Sequence, residues 1–319
     1  MKRRWPWLWP WLRLVPAVGV LAALAWRLGT GAFLDGLRAV TAGSALAALG
    51  IGLLTTVACA WRWCLVARGL GLPLPLRAAV SDYYRGLLLN AVLPAGVLGD
   101  VDRAVRHGRQ SGDLGRGVRA VFFERAAGQV VLVAIGAVVL FTGPAPVLDF
   151  TPGVGVAAAL VPAAAVALLL PRVRRALAAT FADGRELLSR KILPAVVLLS
   201  AATTAGHVAM FLVAARAAGV GAPPARLVPL LVLALLVMAL PVNVGGFGPR
   251  EAFLAVAFGA AGLGAAQGFT TGVVYGVLAL IASLPGVLVL PRRGSPVQHR
   301  QVLPERLDQR GEQGLALVR

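Results

Sequence analysis

Two stretches of the chain combine proline, glycine and charge in a pattern suited to anion handling. The first runs Leu87-Leu88-Leu89-Asn90-Ala91-Val92-Leu93-Pro94-Ala95-Gly96-Val97-Leu98-Gly99-Asp100-Val101-Asp102-Arg103. The second runs Leu240-Pro241-Val242-Asn243-Val244-Gly245-Gly246-Phe247-Gly248-Pro249-Arg250-Glu251. Proline removes a backbone donor and glycine lets the chain leave helical geometry, so each stretch reads as a break in an apolar run. Unwound backbone at membrane depth is tolerated only where it is buried in protein or lines a wet cavity. Paired breaks in corresponding places of two halves point to a transport site. The helix that restarts after each break can aim N–H groups at a phosphate, and the guanidiniums of Arg103 and Arg250 match phosphate geometry. The alternative is a pair of cytoplasmic loops with ordinary caps. For 86–98 that alternative is strained. The segment is too apolar for a solvated loop and too short to cross, so a re-entrant hairpin fits better.

Glu124 and Arg125 stand a little over one turn into an apolar run that begins near Val118. At ~1.5 Å per residue they lie about 10 Å deep. A charge there costs about 2–3 kcal/mol on insertion scales unless it is paired or wet. Neighbours on a helix point about 100° apart, so the two need not pair with each other. Two readings stand. Either they face a polar cavity and meet a headgroup, or they form a structural ion pair with Arg103, Arg250 or Glu251. The candidate substrate-binding set is therefore Asn90, Pro94, Asp100, Arg103, Glu124, Arg125, Asn243, Arg250 and Glu251.

Other polar residues have plainer expectations. Thr203 and His207 share a helix face, with Thr204 beside them, as a helix–helix hydrogen bond requires. Asp82, Tyr83 and Tyr84 suit an interfacial amphipathic helix. Cys59 and Cys64, the two cysteines, lie on different faces of one helix and suit packing. His107, His207 and His299 show no metal-ligand spacing with them. No nucleophile elbow or P-loop occurs, and no strand precedes the glycines at 245–248 to make a dinucleotide fingerprint. No catalytic residue, metal, cofactor or energy-coupling motif is expected.

The elements that must position these residues are membrane helices. The chain has 319 residues, 58% hydrophobic and 14% charged, against roughly 25% charged in soluble domains. Its mean hydropathy is +0.80. The fold class expected is all-α, a polytopic integral membrane helix bundle. Spans read near 12–28, 43–62, 118–141, 152–170, 194–215, 227–242 and 268–290, with 251–265 doubtful. Arginine blocks before the first span, at 62–119, at 172–191 and after 291 alternate cleanly if all are cytoplasmic. Both termini are then inside, 251–265 crosses as a short or tilted helix, and the spans number about eight. Two loosely repeated halves follow, 12–170 and 194–290, within a membrane domain of 1–291. The remainder, 292–319, reads as a disordered basic tail. Lys2-Arg3-Arg4 before an apolar run imitates a signal peptide, but Trp5, Trp7, Trp9 and Trp11 suit the anchor of a retained helix. The net charge of +18 sits in blocks between spans, without interleaved stacking aromatics, so no nucleic-acid partner is expected.

Taken together the motifs resemble a known family. The run Asn90…Leu93-Pro94…Gly99-Asp100…Arg103 is similar to the first signature of the lysylphosphatidylglycerol synthase transmembrane-region family, the flippase-like domains. Phe123-Glu124-Arg125 resembles its next helix. Leu240-Pro241…Gly245-Gly246-Phe247-Gly248…Arg250-Glu251 resembles its second signature, with Asn243 standing where a small or apolar residue is usual. The likeness runs over roughly 10–290. It implies a lipid translocase in the cell membrane that moves a phospholipid or lipid-linked precursor between leaflets. The partner implied is a membrane lipid with an anionic or aminoacylated headgroup, or a polyprenyl-linked precursor. Bifunctional members carry a soluble aminoacyl-transferase domain, and its absence here implies a stand-alone member that does not make lysylphosphatidylglycerol. Two rivals remain: an intramembrane enzyme with Asp100 or Glu124 as base, and a non-transporting partner of a lipid-synthesis enzyme. Substrate, direction, energy source and oligomeric state are not legible.

Overall fold

The computed structural model describes residues 30–92, 98–142, 192–238 and 248–289. Every regular element among them is helical. In order they are α1 (Thr30–Arg38), α2 (Ala42–Gly69), α3 (Leu76–Val92), α4 (Leu98–Gln110), α5 (Leu114–Thr142), α6 (Leu193–Ala217), α7 (Pro224–Met238), α8 (Pro249–Ala260) and α9 (Ala265–Ser283). A 3-10 turn, Leu284–Val289, extends α9.

Four of these helices are long and apolar enough to cross a membrane: Ala42–Gly69, Leu114–Val139, Leu193–Ala217 and Ala265–Val289. They match the expected spans at 43–62, 118–141, 194–215 and 268–290. The chain is a multi-pass helical membrane bundle. The spans at 12–28 and 152–170, the amino-terminal tryptophans and the tail at 292–319 lie outside the described residues.

The segment 251–265 forms a short helix followed by a turn. Its helix stops at Ala260, and Gly262 and Gly264, both at positive φ, turn the chain into α9. The 12 residues of α8 rise about 18 Å, well short of a core about 30 Å thick. Gly248 at its start and Gly262 and Gly264 after its end, all at positive φ, bound the helix. The 15 described residues of α7 rise only about 22 Å.

A simpler order emerges, in which a long helix, a pair of short helices and a second long helix occur twice. The first set is α2, α3 with α4, and α5; the second is α6, α7 with α8, and α9. In the first pair α3 and α4 fold back on each other. Gly86 and Gly99 meet backbone to backbone, where a Cβ on Gly99 would strike the Gly86 carbonyl. Arg85 pairs with Asp102 at 2.9 Å and Arg106 with Asp82 at 3.6 Å, so the hairpin is laced along its length. In the second pair α7 packs on α8, and α8 lies along α9, with the Leu254 carbonyl against Gly268.

Inside lipid the hydrophobic effect does not drive helices together; close packing of small residues and polar contacts do. Gly52 of α2 faces Ala282 of α9, and Gly206 of α6 admits Thr55 of α2. Phe211 stacks on Tyr275 with centroids 3.7 Å apart. Leu46, Leu54, Leu198 and Leu288 point outward, each about 70% or more exposed (69%, 72%, 70% and 78%). A belt of this kind suits acyl chains. Local signals start the helices: α2 opens on a capping box, with Ser44 N donating to Thr41 Oγ1 at 3.2 Å and Thr41 N to Ser44 Oγ at 2.9 Å.

Candidate functional site

The first half gathers its charges around Glu124. This carboxylate, on α5, is fully buried. Its Oε1 accepts from Arg62 of α2, at 2.6 Å from Nη2 and 3.1 Å from Nε, and from Tyr83 Oη of α3 at 3.3 Å. Its Oε2 accepts from Arg103 Nη2 of α4 at 2.9 Å. Four helices thus converge on one acid, and Arg62 Nη1 adds a fifth by donating to Ser200 Oγ of α6 at 3.0 Å. Arg103 is 1% exposed and is sandwiched between the rings of Trp63, 4.5 Å away, and Tyr83, 4.2 Å away. Two guanidiniums on one carboxylate, with cation–π contacts on one of them, compensate charges that would otherwise be costly in a low dielectric.

Asp100 links this knot to more open ground. Its Oδ1 accepts from Arg103 Nη2 at 3.1 Å and from Arg125 Nη2 at 2.7 Å. Its Oδ2 lies 3.5 Å from Asn90 Nδ2, while Asn90 Oδ1 accepts from Gly99 N at 2.7 Å. Asn90 thereby ties the end of α3 to the start of α4 across the break. Unlike the side chains around it, that of Arg125 remains 41% accessible. On the flank, His107 is buried with its ring edge-on to Trp63 at 5.3 Å. Burial and the nearby Arg103 hold its imidazole below the ordinary range. Burial pushes the Asp82 carboxyl upward, with Arg106 opposing.

The second half has a smaller arrangement. Glu251 is fully buried at the first turn of α8. Its Oε2 accepts from Gly248 N at 2.6 Å and its Oε1 from Arg250, with Nε at 2.9 Å. Gly248 sits at φ 121°, a conformation that favours glycine, and Pro249 starts the helix behind it. Arg250 is 2% exposed and stands 5.0 Å over the Tyr275 ring of α9.

Between the two halves lies a cavity of about 270 Å³. Thr55 and Thr56 of α2, Asn90 of α3, His207 of α6, Arg250 of α8, and Tyr275 and Ser283 of α9 supply its polar wall. Met210, Met238, Leu87 and Leu280 supply much of the rest. His207 Nδ1 and Tyr275 Oη lie 3.1 Å apart across α6 and α9. Thr203 Oγ1 meets Cys59 Sγ at 3.5 Å. The helix–helix hydrogen bonds expected at Thr203 and His207 are present.

The candidate residues therefore fall into groups. Asp100, Arg103, Glu124 and Arg125 form one network, and Asn90 joins it to the cavity. Arg250 and Glu251 form a separate pair, with Arg250 at the cavity wall. Pro94 and Asn243 lie outside the described residues. Glu124 does pair with Arg103, one of the options open from sequence, and Arg125 pairs with Asp100 instead of Glu124. Two members were missed. Arg62 had been counted with the loop arginines, yet the apolar run continues past it through Trp63, Cys64, Leu65 and Val66, which marks it as embedded. Tyr83 had been assigned to an interfacial helix but is 4% exposed. It stands seven residues before Asn90, on the same helical face, which was the available signal.

A family model described as the lysylphosphatidylglycerol synthase TM region matches residues 11–286. The chain belongs to this family. No curated protein and no solved structure matches it. In this member of the lysylphosphatidylglycerol synthase TM-region family, the matched region contains both breaks, the Glu124 network and the cavity. Membership relates the chain to membrane lipid metabolism.

Proposed function

We propose that the protein translocates a lipid, a phospholipid or a lipid-linked precursor, between membrane leaflets. The observation that carries this reading is the cavity shared by both halves. It has Arg250 on one wall and Asn90, leading to Asp100 and Arg125, on another. A phosphate in the cavity would meet Arg250 and neutral hydroxyls, while acyl chains stay in lipid. The helix pairs α3/α4 and α7/α8 would act as paired re-entrant elements around it. The proposed substrate-binding residues are Asn90, Asp100, Arg103, Glu124, Arg125, Arg250 and Glu251, with Pro94 and Asn243 in the breaks themselves.

The cell membrane with both termini cytoplasmic remains the proposed setting, on the arginine blocks. If α7 and α8 enter and leave by one face, two crossings are removed together and that parity is kept. A cytoplasm-only reporter fused at residue 319 should be active.

The enzyme alternative fits less well. Both oxygens of Glu124 are engaged by arginines or Tyr83, and Asp100 is held by two arginines and Asn90, so neither is poised as a base. The test is purified protein in liposomes with fluorescent lipids and a leaflet-specific quencher. Faster translocation than in protein-free liposomes is expected. Chemically altered lipid without translocation would favour an enzyme. Neither effect across a broad panel would favour a partner protein.

A further inference from the structure

Resting on that reading, we infer that His207 and Tyr275 form a proton-linked part of the headgroup site, so that an anionic headgroup and one proton bind together. Among the described residues lining the cavity, His207 is the one side chain whose ordinary titration falls between pH 5 and 8. It shares the wall with Arg250 through a connected set of rings. His207 Nδ1 lies 3.1 Å from Tyr275 Oη. Phe211, one turn after His207, stacks on the Tyr275 ring at 3.7 Å, and the Arg250 guanidinium stands 5.0 Å from the centroid of that ring. Contacts from α6 and α8 thus hold the phenol of α9 in place, with its hydroxyl against the imidazole.

A proton changes what this pair offers. In the neutral imidazole one ring nitrogen donates and the other accepts; in the imidazolium both donate. Nδ1–H then donates to Tyr275 Oη, and the phenolic hydrogen turns away from the imidazole to another acceptor. An anion at the wall gains a positive charge and a hydroxyl donor together. The other titratable groups on the helices packed around α6 have partners of their own. On α2, Arg62 holds Glu124 at 2.6 Å and lies 3.7 Å from Cys59 Sγ, which meets Thr203. On α5, Glu124 also takes Arg103, and Arg125 takes Asp100 at 2.7 Å. Within α7 the titratable side chain is Arg226, which donates to the Ala261 carbonyl at 3.1 Å. Across the cavity, Arg250 is held by Glu251, and on α6 itself Arg216 donates to the Val220 carbonyl. His207 is bonded to a neutral hydroxyl, so an incoming phosphate is an opposite charge beside it and favours the protonated form. The coupling is reciprocal: the proton strengthens binding of the anion by the same factor.

A phosphodiester occurs on diacylglycerol and on polyprenyl chains, and its own ionisation does not change between pH 5 and 8, so the experiment carries both sources. The full chain in detergent is titrated with short-chain phosphatidylglycerol or a polyprenyl phosphohexose at pH 5.5, 6.5 and 7.5. Calorimetry in buffers of different ionisation enthalpy counts the protons taken up per lipid bound. At least one lipid should bind about tenfold tighter at pH 5.5 than at pH 7.5, within the limit of about a hundredfold that one linked proton sets over two pH units. Uptake should approach one proton at the acid end. His207→Gln should bring the affinity ratio within about twofold and the proton count near zero, and Tyr275→Phe should cost affinity mainly at pH 5.5. Lipid binding without proton uptake in the wild type, or uptake that persists in His207→Gln, would overturn the inference and leave translocation standing. Neither lipid bound at any pH, with no faster crossing than in empty liposomes, would overturn the translocase reading itself. The wild-type proton count decides the matter even if a variant fails to fold.

Discussion

The Glu124 network centres on α5 and reaches back to α4, whereas the Arg250–Glu251 pair sits on α8, the counterpart of α4, and the two are built differently. In the first half one acid is held by residues from α2, α3 and α4, and Arg62 extends the contact to α6. Contacts that join separate helices fix their relative positions. In the second half, acid and base are neighbours on α8, and the acid also caps its own helix through Gly248 N. One side of the cavity is tied across helices through a single acid; on the other, acid and base share one helix and stand beside Tyr275 of α9.

That contrast sets an order of mutational effects. Glu124→Gln leaves Arg62 and Arg103 buried with a neutral partner. Removing one member of a buried ion pair costs about 3–5 kcal/mol, and the largest drop in thermal stability in detergent is expected here. Glu251→Gln removes one charged partner of Arg250 and weakens one cap. Loss of charged hydrogen bonds of this kind costs about 1.5–3 kcal/mol. If Glu251→Gln proved the more damaging variant, the ranking of the two sites would be reversed. Arg125→Gln acts on a partly accessible ion pair, and a stability change within about 1 kcal/mol is expected. Its translocation rate should nevertheless fall, which separates a binding role from a structural one.

Much of the framework was legible because membrane helices announce themselves by length and hydropathy. The four long helices follow from apolar runs alone. So does the special status of Glu124 and Arg125, since ionised groups within such runs demand partners. Partner identity was not legible. Arg62 reads as the cytoplasmic edge of a span; the apolar run beyond it signals that the helix continues, but that this arginine turns inward to Glu124 is set by the tertiary fold. Glu251 could not be assigned to Arg250 from spacing, because adjacent side chains diverge on a regular helix. At a helix start the carboxylate swings back to cap Gly248 N, and that brings it to its neighbour. Charge alternation makes 251–265 a short or tilted crossing, but that rule counts parity alone and says nothing of how a helix as short as α8 sits.

The claim that the cavity between the halves holds a lipid headgroup has one most direct test. Ala279 lies on the cavity wall, and Ala279→Trp would fill the space. Native mass spectrometry of wild-type protein released from detergent should detect one retained phosphate-bearing lipid per chain, lost or strongly reduced in Ala279→Trp of equal thermal stability. Equal lipid retention by both proteins would contradict a headgroup site in this cavity.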